Sequence, residues 1–198
     1  MVVLSSWHIL FGDGALGDSE VWMVDESGGS RRYSNVGRTL YGKIGQVRLD
    51  DNDYHVDCAI SSWLYPPDIG FPPPSGEIET RFTQVSGHNI ARTGDVVTKK
   101  GAATGITFGI VADVDYCDRA WIGGRPYPAS RQLLVRSINP EAVFCAEGDS
   151  GSIIVNALGK AVGLLWGANG RGEGVACPIA AVLSALDITL ELSPSAPK

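Results

Sequence analysis

Ser150 stands in the segment CAEGDSGS, residues 145–152, between two apolar runs. Gly148 and Gly151 permit positive φ, and Asp149 and Ser150 can bond their own backbone, so a tight turn accounts for the cluster. A nucleophile turn accounts for it too: Ser150 is held at a bend while the Gly148 and Ser150 amides converge on a point where an oxyanion would be stabilised. The four residues Gly-Asp-Ser-Gly fit both. A serine hydroxyl is a weak nucleophile unless a histidine takes its proton and a third group orients that histidine.

The chain offers three histidines, His8, His55 and His88. His88, in the polar turn-like stretch SGHNIARTG, reads as a surface residue. His55 precedes Asp57 by two, and residues two apart on a strand share a face. Their side chains then run parallel, a poor geometry for a carboxylate receiving an imidazole N–H. His8 follows the run VVLSS at a strand-to-turn junction, where a side chain can be aimed into a cleft. Asp57 lies inside the otherwise apolar segment HVDCAIS, where burying an ionised carboxylate is costly without a partner. Its partner could be structural, or it could be the histidine whose tautomer a buried aspartate fixes. His8, Asp57 and Ser150 occur in the order His, Asp, Ser with gaps of 49 and 93 residues, close to the roughly 45 and 93 of the chymotrypsin-type template.

The elements that must position these residues read as an all-β chain. Gly at 25 and Pro at 11 in 198 residues, with short β-branched runs between them, indicate short strands joined by tight turns. Strands are expected within residues 2–6, 20–25, 37–49, 55–64, 77–85, 94–101, 104–117, 131–138, 152–167 and 174–179, and the proline-rich residues 66–75 as an exposed loop. Only residues 179–192 show helical spacing, with Ile179, Val182, Leu183 and Leu186 on one face. Two β-rich halves are expected, residues 1–85 carrying the histidine and aspartate and residues 86–192 carrying the serine and the terminal helix, with a disordered tail at 193–198.

Composition excludes several classes of function. Sixteen basic against 22 acidic residues give a net charge of −6, and the basic ones are scattered, so neither a nucleic-acid nor a membrane partner is expected. Cys58, Cys117, Cys145 and Cys177 lack any C-x-x-C pair, which favours mostly free, buried thiols over a zinc site or a disulfide framework. Neither a metal nor a cofactor is expected. No apolar run spans a bilayer, and no basic leader precedes an apolar segment near Met1.

In five segments the sequence resembles the chymotrypsin-fold (trypsin-like) serine protease family, particularly its bacterial members. VVLSSWHIL looks like the strand and turn carrying the catalytic histidine, HVDCAI the aspartate segment, GDSGS the nucleophile segment, and AVGLLWG the strand after it. VVTKKGAATGITFGIV is similar to a Lys-x-Gly-x-Thr-Thr-Gly-x-Thr-x-Gly run of bacterial members. The resemblance implies two six-stranded antiparallel barrels with a triad at their junction, a C-terminal helix, and a serine endopeptidase acting through an acyl-enzyme. His8 would be the general base and later the general acid, Asp57 its orienting carboxylate, and Ser150 the nucleophile. The Gly148 and Ser150 amides would form the oxyanion hole. Leu165, Trp166 and Gly167 would offer an edge strand to an extended polypeptide substrate.

The departures carry their own expectations. Phe144, six positions before Ser150, stands where trypsin carries the acid at the base of its primary pocket, which points away from cleavage after Lys or Arg and toward an apolar or small residue. Asp149 has no recognisable N-terminal amine to pair with and must find another partner or be solvated. A pocket-bracing disulfide is doubtful, because Cys177 falls too late in the chain. Only seven residues precede His8, where the family places at least two strands, so the first barrel is expected to lack its N-terminal strands. An open barrel invites self-association or a partner that completes it. It also invites the alternative of a catalytically impaired, protease-like module that binds peptide or protein. The expected location is cytoplasmic if Met1 is the true start, and secreted if an upstream signal is missing.

Overall fold

Turn chemistry sets the register of the first half. The computed structural model describes residues 2–12, 18–25, 32–64, 85–122 and 125–190. Four strands, β1 (Val2–Ser5), β2 (Glu20–Asp25), β3 (Arg32–Leu49) and β4 (Asn52–Ser62), form an antiparallel sheet in the order β1-β4-β3-β2, and a one-turn helix α1 (Trp7–Leu10) follows β1. Asp50 and Asp51 join β3 to β4 with φ of 47° and 61°. Two successive left-handed residues give the type I′ geometry, whose twist matches that of the flanking strands. The ladder then runs from Leu49↔Asn52 to Ile44↔Asp57 and beyond, which sets Asp57 in mid-strand.

The second half closes on itself. Strands β5 (Val96–Gly101), β6 (Gly105–Ile122), β7 (Arg125–Ser137), β8 (Ile153–Asn156), β9 (Ala161–Ala168) and β10 (Gly174–Pro178) form a six-stranded barrel in the order β10-β7-β6-β5-β8-β9. Val97, Val111, Leu133, Val135, Phe144, Ile154, Val162 and Leu165 belong to its core. The fold is therefore the expected one: all-β, one complete barrel, and a first sheet that among the described residues has four strands and does not close.

Helix α2 (Ile179–Leu186) ties the halves together. Its expected apolar face, Ile179, Val182, Leu183 and Leu186, is buried in one cluster with Val56 and Cys58 of β4 and with Leu164 and Cys177 of the barrel. At about 1.5–3 kcal/mol for each large aliphatic side chain buried, this face alone holds the sheet firmly against the barrel.

One expectation needs correction, the end of the helix. The helix stops at Leu186 rather than reaching residue 192, because Asp187 turns left-handed (φ 52°) and the Ile188 N–H bonds back to the Leu183 carbonyl, a Schellman-type stop. Residues 152–167 form two strands, separated by a turn in which Gly159 has φ of 70°. The turn expected after β1 is the one-turn helix α1. The proline-rich segment 66–75, residues 77–84 of one expected strand and the tail 193–198 lie outside the described residues.

Candidate active site

Asp57 is buried on β4 and satisfied by one partner residue: its Oδ1 accepts the His8 backbone N–H at 3.1 Å, and its Oδ2 meets His8 Nδ1 at 2.6 Å. The chain brings them together by pairing β1 against β4 (Ser5↔Ala59) and turning back through α1. Trp7 stacks on Phe11 with ring centroids 5.8 Å apart. Gly42 on β3 makes room for them, since a Cβ there would come within 2.6 Å of Trp7 and 2.8 Å of Phe11. The Asp57 hydrogen bond raises the His8 pKa against the opposing effect of partial burial, and the Asp57 charge adds to the rise. The imidazole remains 38 % exposed, open to a proton-transfer partner.

Ser150 sits on the turn between the barrel core and β8. Gly148 has φ of +96° and Gly151 of +88°, the region glycine enters without strain. Asp149 N–H bonds to the Ala146 carbonyl and Gly151 N–H to the Leu165 carbonyl. Among the described residues the Gly148 and Ser150 amides meet no protein acceptor. The same Leu165 carbonyl accepts the Ser6 hydroxyl at 3.1 Å, and a Cβ on Gly151 would overlap Ser5 Oγ. The turn bearing Ser150 is thus docked directly on the residues leading into His8. The Ser150 hydroxyl itself donates to the Trp166 carbonyl at 3.1 Å rather than to His8. That carbonyl lies on β9 beyond Ile153, the first residue of the neighbouring β8, which leaves it open to the hydroxyl.

Asp149 answers the question its sequence position raised. Its carboxylate pairs with Lys99 Nζ at 2.8 Å, both side chains being fully buried. It also accepts the Ala103 and Thr104 amides, the Thr104 hydroxyl at 2.6 Å and the Ala146 amide. Lys99 Nζ bonds the Thr104 hydroxyl and the Gly105 carbonyl as well. Burial pushes the Asp149 carboxyl up, but Lys99, Thr104 and the two amides together outweigh it and hold the group well below the usual carboxylate range. The sequence carried a signal for Lys99: strand alternation through Val97, Lys99 and Gly101 turns one of two adjacent lysines inward.

Two expected substrate contacts change. Phe144 is fully buried, and its ring occupies the space that a Cβ on Gly109 or Gly174 would need. The cavity beside Ser150, about 220 Å³, is lined by Ala146, Glu147, Leu165, Gly167 and Ala168. Leu165 offers no free edge, since its N–H bonds to the Ser152 carbonyl and its carbonyl holds Gly151 and Ser6. Of the other two residues of the expected edge, Trp166 bears the carbonyl that receives the Ser150 hydroxyl and Gly167 lines the cavity beside it.

The other histidines stand apart. His88 is exposed. His55 is buried, and burial pushes its pKa down against the Asp57 charge. All four cysteines are free; Cys58, Cys145 and Cys177 are buried and Cys117 is exposed. Burial raises the Cys58 thiol to about 12 and Cys145 to about 11. Among the described residues no cluster of His, Cys, Asp and Glu could hold a metal, and no helix is long and apolar enough to cross a membrane.

Solved structures share this architecture. A glutamic-acid-specific serine protease that uses a histidine triad in substrate binding superposes with a TM-score of 0.52 at 22% identity, over 89% of this chain and 96% of that one. Thermobifida fusca Protease A gives 0.52 at 19% identity, over 90% and 98%. The MamO protease domain from Magnetospirillum magneticum gives 0.53 at 15% identity, over 93% and 82%. No protein-family model and no curated protein sequence matches the chain. The chain has the chymotrypsin-like fold of bacterial serine proteases.

Proposed function

We propose that the chain is a serine endopeptidase using His8, Asp57 and Ser150. The observation that carries this reading is the 2.6 Å His8–Asp57 pair beside a turn whose Gly148 and Ser150 amides lack protein acceptors. In the proposed reaction the Ser150 hydroxyl leaves the Trp166 carbonyl and gives its proton to His8 Nε2 as the oxygen attacks the scissile carbonyl carbon. The oxyanion settles on the Gly148 and Ser150 amides, a device worth roughly 2.7–4 kcal/mol per donor in a comparable protease. His8 then gives the proton to the departing amine, leaving Ser150 acylated, and water repeats the sequence to release the acid. Asp57 keeps Nδ1 protonated and stabilises the imidazolium formed in each half.

The substrate is an extended polypeptide laid along Trp166 and Gly167. The small cavity, with Phe144 filling the core nearby and Glu147 the one charged lining residue, favours a small uncharged side chain before the scissile bond. It disfavours the glutamate that the first of the similar proteases accepts. A fluorophosphonate probe should label wild-type Ser150, and neither Ser150→Ala nor His8→Ala should react.

One observation favours a second reading, a catalytically impaired module that binds peptide or protein: the Ser150 hydroxyl is bonded to Trp166 and not to His8. Folded wild-type protein that never reacts with the probe, yet binds extended peptide, would establish that alternative.

A further inference from the structure

Gln132 is a fully buried amide on β7, followed by the aliphatic residues Leu133, Leu134 and Val135. Its Nε2 donates to the His55 carbonyl at 2.9 Å and the Ser130 carbonyl at 2.8 Å, and its Oε1 accepts the Trp166 indole N–H at 2.6 Å. One side chain thereby joins β4, two residues before Asp57, to β9 at the residue whose carbonyl receives the Ser150 hydroxyl. The backbone is bent to put it there. Arg131 has φ of +53°, and the β6–β7 register slips on both sides of Tyr116, the partner of Gln132. Such irregularities re-aim side chains. Arg131 is turned away, over the Tyr54 ring at 5.9 Å and 3.4 Å from Asp115.

Among the described residues the indole N–H has no other polar partner. Trp166 is half-buried against the His55 ring, with centroids 6.0 Å apart and planes tilted by 55°. Among the described residues the buried His55 Nε2 meets no hydrogen-bond partner, so this ring offers Trp166 contact but no hydrogen bond. A buried amide whose bonds are all made specifies one arrangement more sharply than aliphatic contact does.

We propose that Gln132 is a positioning residue, fixing Trp166, and through it the substrate-docking edge at Trp166–Gly167, in register with the strand that carries Asp57. This rests on the protease reading above. Loss of the tether weakens engagement of an extended substrate, while chemistry on a substrate too short to reach Trp166 is affected far less.

The test compares wild type, Gln132→Met, Trp166→Phe and the double variant on a tetrapeptide amide and on a single-residue ester. Removing one buried hydrogen-bond partner should lower kcat/KM for the tetrapeptide about tenfold, chiefly through KM. The ester should lose a much smaller factor, and the double variant should be no worse than the worse single one. Equal losses on both substrates, or losses that multiply in the double variant, overturn the proposal. A second readout is independent of activity and of how the variants fold: the wild-type Trp166 indole N–H, assigned in a ¹H–¹⁵N spectrum, should exchange slowly with solvent, and fast exchange overturns the tether. If wild type hydrolyses neither substrate and takes no probe, the protease reading fails and the indole signal alone decides the role of Gln132.

Discussion

Replacing Lys99 with methionine removes a buried cation while keeping the length of the side chain. Lys99 Nζ lies 2.8 Å from Asp149 Oδ2, and neither side chain is exposed to solvent. An exposed ion pair contributes about 0–1 kcal/mol, but removing one partner of a buried pair leaves an uncompensated charge and costs about 3–5 kcal/mol. Asp149 keeps donors from Ala103, Thr104 and Ala146, so the lower end, about 3 kcal/mol, is expected at pH 7. The pH dependence follows from the carboxyl. In the native protein, burial pushes it up and the surrounding donors more than reverse this. A depressed carboxylate contributes stability that is complete above its unfolded pKa of about 3.9 and is lost as pH falls through the folded value. Without Lys99 the effect of burial is less opposed and the carboxyl rises, so the deficit of the variant is largest at neutral pH and shrinks on acidification. Urea unfolding followed by tryptophan fluorescence at pH 7 and at about pH 3, below the unfolded carboxyl value, measures both. Lys99→Met/Asp149→Asn should recover part of the loss, because no unpaired charge remains, and probe labelling of Ser150 should slow in the single variant as its turn loses the anchor. A deficit under about 1 kcal/mol, or one identical at the two pH values, would refute the reasoning.

Two further outcomes are expected. Labelling of Ser150 should rise with pH through an inflection above the ordinary histidine value of about 6.5, because the Asp57 hydrogen bond raises His8 and only the neutral ring accepts the proton; Asp57→Asn should lower the inflection and cut the rate by about 10⁴, and an unmoved inflection counts against the pair. The stability contributed by His8 has the opposite pH dependence to that of Asp149: it is complete below the unfolded pKa and fades as pH rises through the folded one. At Gly167 an added Cβ meets open space, so Gly167→Val should change stability by no more than about 0.5 kcal/mol. The isopropyl group enters the 220 Å³ cavity, so turnover with alanine before the scissile bond should fall more steeply than turnover with glycine; equal turnover of both would remove the cavity from substrate recognition.

The chain order of His8, Asp57 and Ser150, the glycines that let the Ser150 turn bend, the alternation of the strands and the apolar face of α2 were all legible in the sequence. Each is written in residues that are covalent neighbours, or in a period that a regular backbone imposes, and needs no knowledge of what lies across the molecule. Lys99 against Asp149, 50 residues apart, and Gln132 between His55 and Trp166, 77 and 34 residues away, were decided by tertiary structure. So were the burial of Phe144 and the occupied polar groups of Leu165. Their partners are set by how a sheet docks on a barrel and where β8 stops short of β9, and a buried charge or amide accepts only the partner that packing delivers within bonding distance.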